Sequence, residues 1–158
     1  MEIRFAAAQD VKGILELLRQ VGQVHYEGRP DIFRDNAQKY GASQVLALLN
    51  SSKTPVFVAV EEEKVLGYCF CKVKAYENES VVNDHTELFI DDLCIHEDCR
   101  RQGIGTALYH EVLRYAKMRG CHNITLNVWS FNAHAMKFYE SLGMKPQRFF
   151  METLLEEA

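Results

Sequence analysis

The chain has 158 residues, 47% of them hydrophobic and 25% charged, with a formal net charge of −4. That length suits one domain with a real core, and the acidic balance argues against a general nucleic-acid binder, which needs a basic face. Five cysteines, Cys69, Cys71, Cys94, Cys99 and Cys121, form no CxxC pair or Cys/His cluster, which argues against a disulfide framework or a metal site and points to reduced thiols in a cytoplasmic compartment.

No apolar run approaches the roughly 20 residues of a membrane-spanning helix, and the N-terminus does not read as a signal peptide. In chain order, "EIRFAA" (2–7) predicts a first strand. "DVKGILELLRQVG" (10–22) has helical spacing, with Asp10 as N-cap and Gly22 at the exit. An irregular polar and aromatic stretch (23–43) precedes a short helix at 44–51. Strands follow at 55–61 and 65–77, joined by the charged turn Glu62-Glu63-Lys64. A loop (78–84) leads into a long strand at 86–96. A helix from Gly103 to Arg119 carries the apolar stripe Ile104, Leu108, Val112 and Tyr115. A strand at 123–129, a short helix at 132–143 with Asn132 at its N-cap, and a last strand at 148–156 complete the order. The alternation predicts an α/β fold in a single domain spanning 1–158.

The informative stretch is Arg100-Arg101-Gln102-Gly103-Ile104-Gly105-Thr106, which stands directly before a helix. The first N–H groups of a helix have no intrahelical partner, and the helix dipole makes that end partly positive. Glycines let an anion approach the main chain, so a phosphate-bearing ligand is expected there. The dinucleotide pattern GxGxxG fails because position 108 is leucine, and no Gly-Lys-Ser/Thr completes a P-loop.

This stretch resembles the Q/R-x-x-G-x-G/A motif of the GNAT superfamily of acyl-CoA-dependent N-acyltransferases. Twenty-seven residues beyond Gly105, "NAHAMKFYESLGMKP" resembles the second signature of that family. The first half of the chain matches only in its order of elements. The resemblance implies a mixed, mostly antiparallel sheet of about six to seven strands with about four helices. It also implies acetyl transfer from acetyl-CoA to an amine by direct attack, with coenzyme A as product. Leu93, Cys94 and Ile95 are then expected along the pantetheine arm, Arg101 to Thr106 around the pyrophosphate with Arg100 nearby, and Asn132 against the cofactor. Dimers are common among members, which leaves a homodimer open.

An alkyl amine has a pKa near that of lysine, about 10.4, so a base must take its proton. A strand N–H, that of Cys94 for instance, is available for an oxyanion. By the resemblance, Tyr139 is the acid that protonates the departing sulfur. "FIDDLCI" is similar to a stretch of polyamine acetyltransferases and makes Asp91 the base, with Glu87 and His85 in reserve. Asp91 and Asp92, as strand neighbours, are expected on opposite faces. Asn127 stands where ribosomal-type N-terminal acetyltransferases often carry glutamate, which disfavours that subclass. Cys94 as an acyl-carrying nucleophile finds no activating base near it in the sequence. His25, Tyr26, Glu27 and Asp31 are the acceptor-binding candidates. A small amine is the expected acceptor; a protein lysine or N-terminus, or a non-catalytic acyl-CoA sensor, are the alternatives.

Overall fold

Strand β2 (Val56–Glu61) is buried along all but its last residue, as expected of a strand covered on both faces. The computed structural model, which describes residues 1–157, shows what covers it. Val56, Val58 and Val60 join a cluster with Val11, Ile14, Leu17 and Leu18 of helix α1 (Val11–Gly28) and Val45 of helix α2 (Ala42–Leu49). The alternate residue Phe57 faces the other way and meets the Tyr115 ring of helix α3 (Ile104–Met118) at 5.5 Å. The period of two along the strand therefore sorts residues between two helical layers.

The sheet runs β1-β2-β3-β4-β5, with β1 at Glu2–Phe5, β3 at Lys64–Tyr76, β4 at His85–Ile95 and β5 at Asn123–Leu126. Its first four strands pair antiparallel, and β5 joins β4 in parallel. The β2–β3 connection is a two-residue turn in which Glu62 and Glu63 both have positive φ, the conformation that matches the twist of a hairpin. The chain divides into two compact units, Met1–Asn127 and Val128–Ala158. The first holds the sheet with α1, α2 and α3. The second holds helix α4 (Ala133–Ser141) and the segment after it.

Four expectations change. Helix α1 continues six residues past Gly22, so the stretch carrying His25, Tyr26 and Glu27 is helical. Gly22 does not end the helix. It leaves room for the returning chain, because a Cβ there would lie 2.1 Å from the Ala37 carbonyl oxygen. Asp10 stands at the start of α1, but its carboxylate turns back to accept from Arg4 (2.7 and 3.0 Å) and from the Ala7 N–H (2.7 Å). Strand β5 stops at Leu126, three residues short of its expected end. Finally, 148–156 forms no strand, so the sheet has five strands among the described residues. Strand propensity alone does not make a strand; a ladder partner does.

Asp10 is 3% exposed and is the one charged residue of the described core. Burial pushes its carboxyl up, but Arg4 and the Ala7 amide outweigh this and hold it below the usual carboxylate range. The Arg4–Asp10 contact thus contributes stability above the ordinary carboxylate pKa and loses it as pH falls. Asp10→Asn is expected to lower unfolding free energy by about 1–3 kcal/mol near neutral pH. Denaturant titrations should show that deficit shrinking on acidification below about pH 4.

Candidate active site

The register between β3 and β4 jumps from Phe70 opposite Asp92 to Cys71 opposite Ile90. Asp91 therefore opposes no residue of β3, which makes it a one-residue bulge. A bulge breaks strict alternation, and the two aspartates no longer face opposite ways. Asp91 accepts from the Tyr40 hydroxyl at 2.5 Å, and Asp92 accepts from the Tyr68 hydroxyl at 2.7 Å. The Tyr40 and Tyr68 rings both pack on Phe70, in the layer under α1 and α2.

The two carboxylates have opposite surroundings. Asp91 is ion-paired with Lys39 and Lys72, each at 3.1 Å. Burial pushes its carboxyl up, but the Tyr40 hydroxyl and the two lysines prevail and hold it below the usual range. Asp92 is paired with no lysine or arginine among the described residues. Burial pushes it up to about 6, with neighbouring Asp91 adding to the rise, against the smaller pull of Tyr68, Lys39 and the Leu93 amide. The carboxylate that the resemblance singled out is therefore the weaker proton acceptor, and its neighbour is the stronger one near neutral pH.

Just past the bulge, β4 loses its partner on the far side. The parallel pairing runs from Glu87 opposite Asn123 to Ile90 opposite Leu126 and ends there. Residues 91–95 then have β3 on one side and no described strand on the other. The His96 N–H donates to the Leu66 carbonyl at 2.8 Å. Antiparallel alternation puts the Cys94 amide on that same side, in the ladder with Tyr68. The amides of Leu93 and Ile95 point away from β3; that of Leu93 is drawn to the Asp92 carboxylate, so the Ile95 amide, and not the Cys94 amide, faces the open side.

The Cys94 thiol turns inward. It lies against the Leu17 carbonyl at 3.6 Å and accepts from Gln20 Nε2 at 3.4 Å. Burial pushes the thiol up to about 12, so it carries almost no thiolate at neutral pH. That disfavours a covalent acyl-cysteine route.

At the start of α3, Arg101 and Gly103 both have positive φ, 61° and 78°. This kinked loop presents successive main-chain amides on one side. The first described amide of α3 to be satisfied by the loop is that of Ala107, which donates to the Gly103 carbonyl. Those of Gly103, Ile104, Gly105 and Thr106 meet no acceptor among the described residues. A Cβ placed on Gly103 would find no atom within 4 Å, so the space over these amides is open. Neither Arg100 nor Arg101 is ion-paired within the described chain. A groove of about 800 Å³ adjoins Arg100, with Gln20, Gln23 and Glu27 of α1 on its wall.

The chain also resembles known proteins. Residues 16–144 match the Acetyltransferase (GNAT) family. The chain belongs to the GNAT family. A crystallised mutant BH1408 protein from Bacillus halodurans is 34% identical, with 98% of this chain and 99% of that one covered and a TM-score of 0.94. The probable N-acetyltransferase camello of Xenopus laevis is 33% identical over 60% of this chain and 40% of its own length. The [ribosomal protein bS18]-alanine N-acetyltransferase of Escherichia coli is 36% identical over 46% of this chain and 47% of its own. The alignments thus span about half the length of these curated relatives, or less. An aminoglycoside acetyltransferase from an uncultured soil sample, solved with sisomicin, shares the fold at a TM-score of 0.73 and 21% identity.

Of the other candidates, Asn132 accepts from the Ala135 N–H at 3.1 Å and so caps α4, the helix that carries Tyr139. His25 stacks on Phe33 at 5.0 Å, and burial, with Lys39 nearby, pushes its pKa down. Asp31 is held by Arg29 at 2.7 Å, and Glu27 accepts from Gln23 at 3.2 Å. Tyr26 lies on α1 beside His25. Of these four acceptor candidates, Glu27 alone lines the groove. The reserve bases sit together near the other end of β4, with Tyr76 stacked on His85 at 4.7 Å and donating to Glu87 at 3.3 Å.

Sequence reasoning missed Lys39, Tyr40, Lys72 and Tyr68. None belongs to a motif, and Lys39 and Tyr40 stand some 50 positions before Asp91. The one available signal was the alternation of Tyr68, Phe70 and Lys72 along a strand.

Proposed function

We propose that this chain is an acetyl-CoA-dependent N-acetyltransferase whose catalytic domain spans 1–158. The observation that carries the reading is the start of α3, where four consecutive amides, 103–106, meet no acceptor among the described residues, beside a glycine with open space above it. These residues fit a diphosphate: bare N–H donors, the positive end of a fifteen-residue helix, and two arginines with no ion pair among the described residues. Bound there, acetyl-CoA supplies an activated thioester. Arg100, Arg101, Gln102, Gly103, Ile104, Gly105 and Thr106 hold the diphosphate, and the main chain of Leu93 to Ile95 guides the arm along the open edge of β4. Asn132 serves the cofactor from the start of α4.

The attacking amine must shed a proton. Asp92 takes this role in our reading, because its affinity lies near neutral pH while Asp91 is held ionised between Lys39 and Lys72. Asp91 instead positions Tyr40 and the two lysines beside the site. Tyr139 donates the proton that the departing thiolate needs. The acceptor is a small amine. The lysine pair neutralises Asp91, so a polyamine finds little net negative charge there. A second reading, transfer to a protein N-terminus, is favoured by the similarity to the bS18-alanine N-acetyltransferase.

Thiol release from acetyl-CoA, followed over a panel of small amines and N-terminal peptides, tests the activity and separates the two acceptor classes. Gly103→Val should raise the coenzyme A dissociation constant at least about tenfold, since its side chain enters the cradle and its φ is unfavourable for a β-branched residue. Calorimetry showing wild-type affinity would remove the diphosphate from this loop. For Asp92, kcat/KM should rise as the carboxyl ionises through about pH 6. Asp92→Asn should flatten that limb at a rate about 100-fold lower, and Asp91→Asn should keep it. Tyr139→Phe should cut turnover by about 100-fold with coenzyme A affinity little changed, as stopped-flow and calorimetry would report.

A further inference from the structure

Asp91 brings one negative charge against two positive ones. Lys39 Nζ lies 3.1 Å from Oδ2 and Lys72 Nζ 3.1 Å from Oδ1. Lys39 and the Tyr40 hydroxyl already tie the chain before α2 to β4, so that attachment does not require Lys72. A lysine ammonium has three N–H donors. Lys39 gives two, to the Asp91 carboxylate and to the Asp91 carbonyl at 3.2 Å, and Lys72 gives one. The rest meet no acceptor among the described residues.

The register puts this surplus cation beside the proposed proton acceptor. Tyr68, Phe70 and Lys72 share a face of β3, and Phe70 stands opposite Asp92. Lys72 is one same-face step farther along, about 7 Å. Strand β3 is buried as far as Cys71 and only half-buried from Lys72. The next residue on that face, Lys74, stands opposite Glu87, and those two charges offset each other. Two poles result within the reach of one small molecule. Ionised Asp92 is the negative pole, and the Lys39–Asp91–Lys72 group, with one positive charge in excess, is the other.

We propose that the acceptor is an amine that also bears a carboxylate, in the class of free amino acids, with its nitrogen at Asp92 and its carboxylate on the spare donors of Lys39 and Lys72. This deepens the acetyltransferase reading and rests on it. A diamine would bring its second cation against the excess positive charge, and a neutral amine would leave the lysine donors unanswered. In the transfer, the nitrogen bonds to the acetyl carbon and the C–S bond breaks toward sulfur. Asp92 keeps the amine proton, and the thiolate takes one from the general acid. The carboxylate only anchors the molecule.

The test is thiol release from acetyl-CoA with matched acceptors: amino acids of increasing chain length, the carboxamide of each, the diamine of equal length, and N-terminal peptides. For the wild type, kcat/KM for the best amino acid should exceed that for its carboxamide at least about tenfold, chiefly through KM. Lys72→Met should lower that ratio about tenfold, and Lys72→Arg should retain it. Equal rates for acid and carboxamide, or a preference for the diamine or the peptide, would overturn the proposal and leave acetyl transfer standing. So would an acid preference that a folded Lys72→Met variant keeps. Thiol release with none of these amines would overturn both readings. The acid-to-carboxamide comparison needs only the wild-type protein, so a variant that folds poorly does not decide the matter.

Discussion

One inserted residue in β4 organises the functional part of this protein. A strand without a bulge would send Asp91 and Asp92 to opposite layers and let β5 continue alongside. The bulge turns both carboxylates toward the layer under α1 and α2, at the point where the pairing to β5 stops. The carboxylates and the open edge therefore coincide. Past Ile90 the outer side of β4 meets no strand among the described residues, and bulges are common beside active sites.

The same bulge sets two carboxylates a residue apart into different electrostatic roles. Asp91, its side chain 7% exposed, costs desolvation and offsets it with two ammonium groups and a tyrosine hydroxyl. Asp92 is buried with only a neutral hydroxyl for a side-chain partner, so its charged form is disfavoured. The fixed charge gathers Lys39 and Tyr40, on the chain between α1 and α2, against β4. The adjustable charge is the one proposed to take the proton. Cys94, two positions on, shows the same burial acting on a thiol, and it becomes a packing residue.

The helix start is a simpler device. Its amides need an acceptor, the loop before it offers none, and Gly103 in a left-handed conformation keeps side chains away. The positive end of α3 belongs to the unit that holds β4, so the proposed anchor and the proposed proton acceptor lie in one compact unit. That suits a reaction in which a long cofactor is gripped far from its reacting atom.

The sequence by itself determined the element order as far as α4, the α3 helix with its glycine-bearing start, and the family, because those are local: a turn, a cap and a periodicity are written within a dozen residues. Gly103 and Asn132 were legible for that reason, as were β2 and β3. The length of α1 was not, since Gly22 looks like a stop until Ala37 is found against it. The roles of Asp91 and Asp92 were not, since a bulge leaves no local mark and Lys39, Tyr40 and Tyr68 are distant in the chain. Nor was the fate of 148–156, where strand composition is plain but a strand exists only with a partner. Tertiary structure decided these points because register, burial and charge pairing arise between segments, and no single segment contains them.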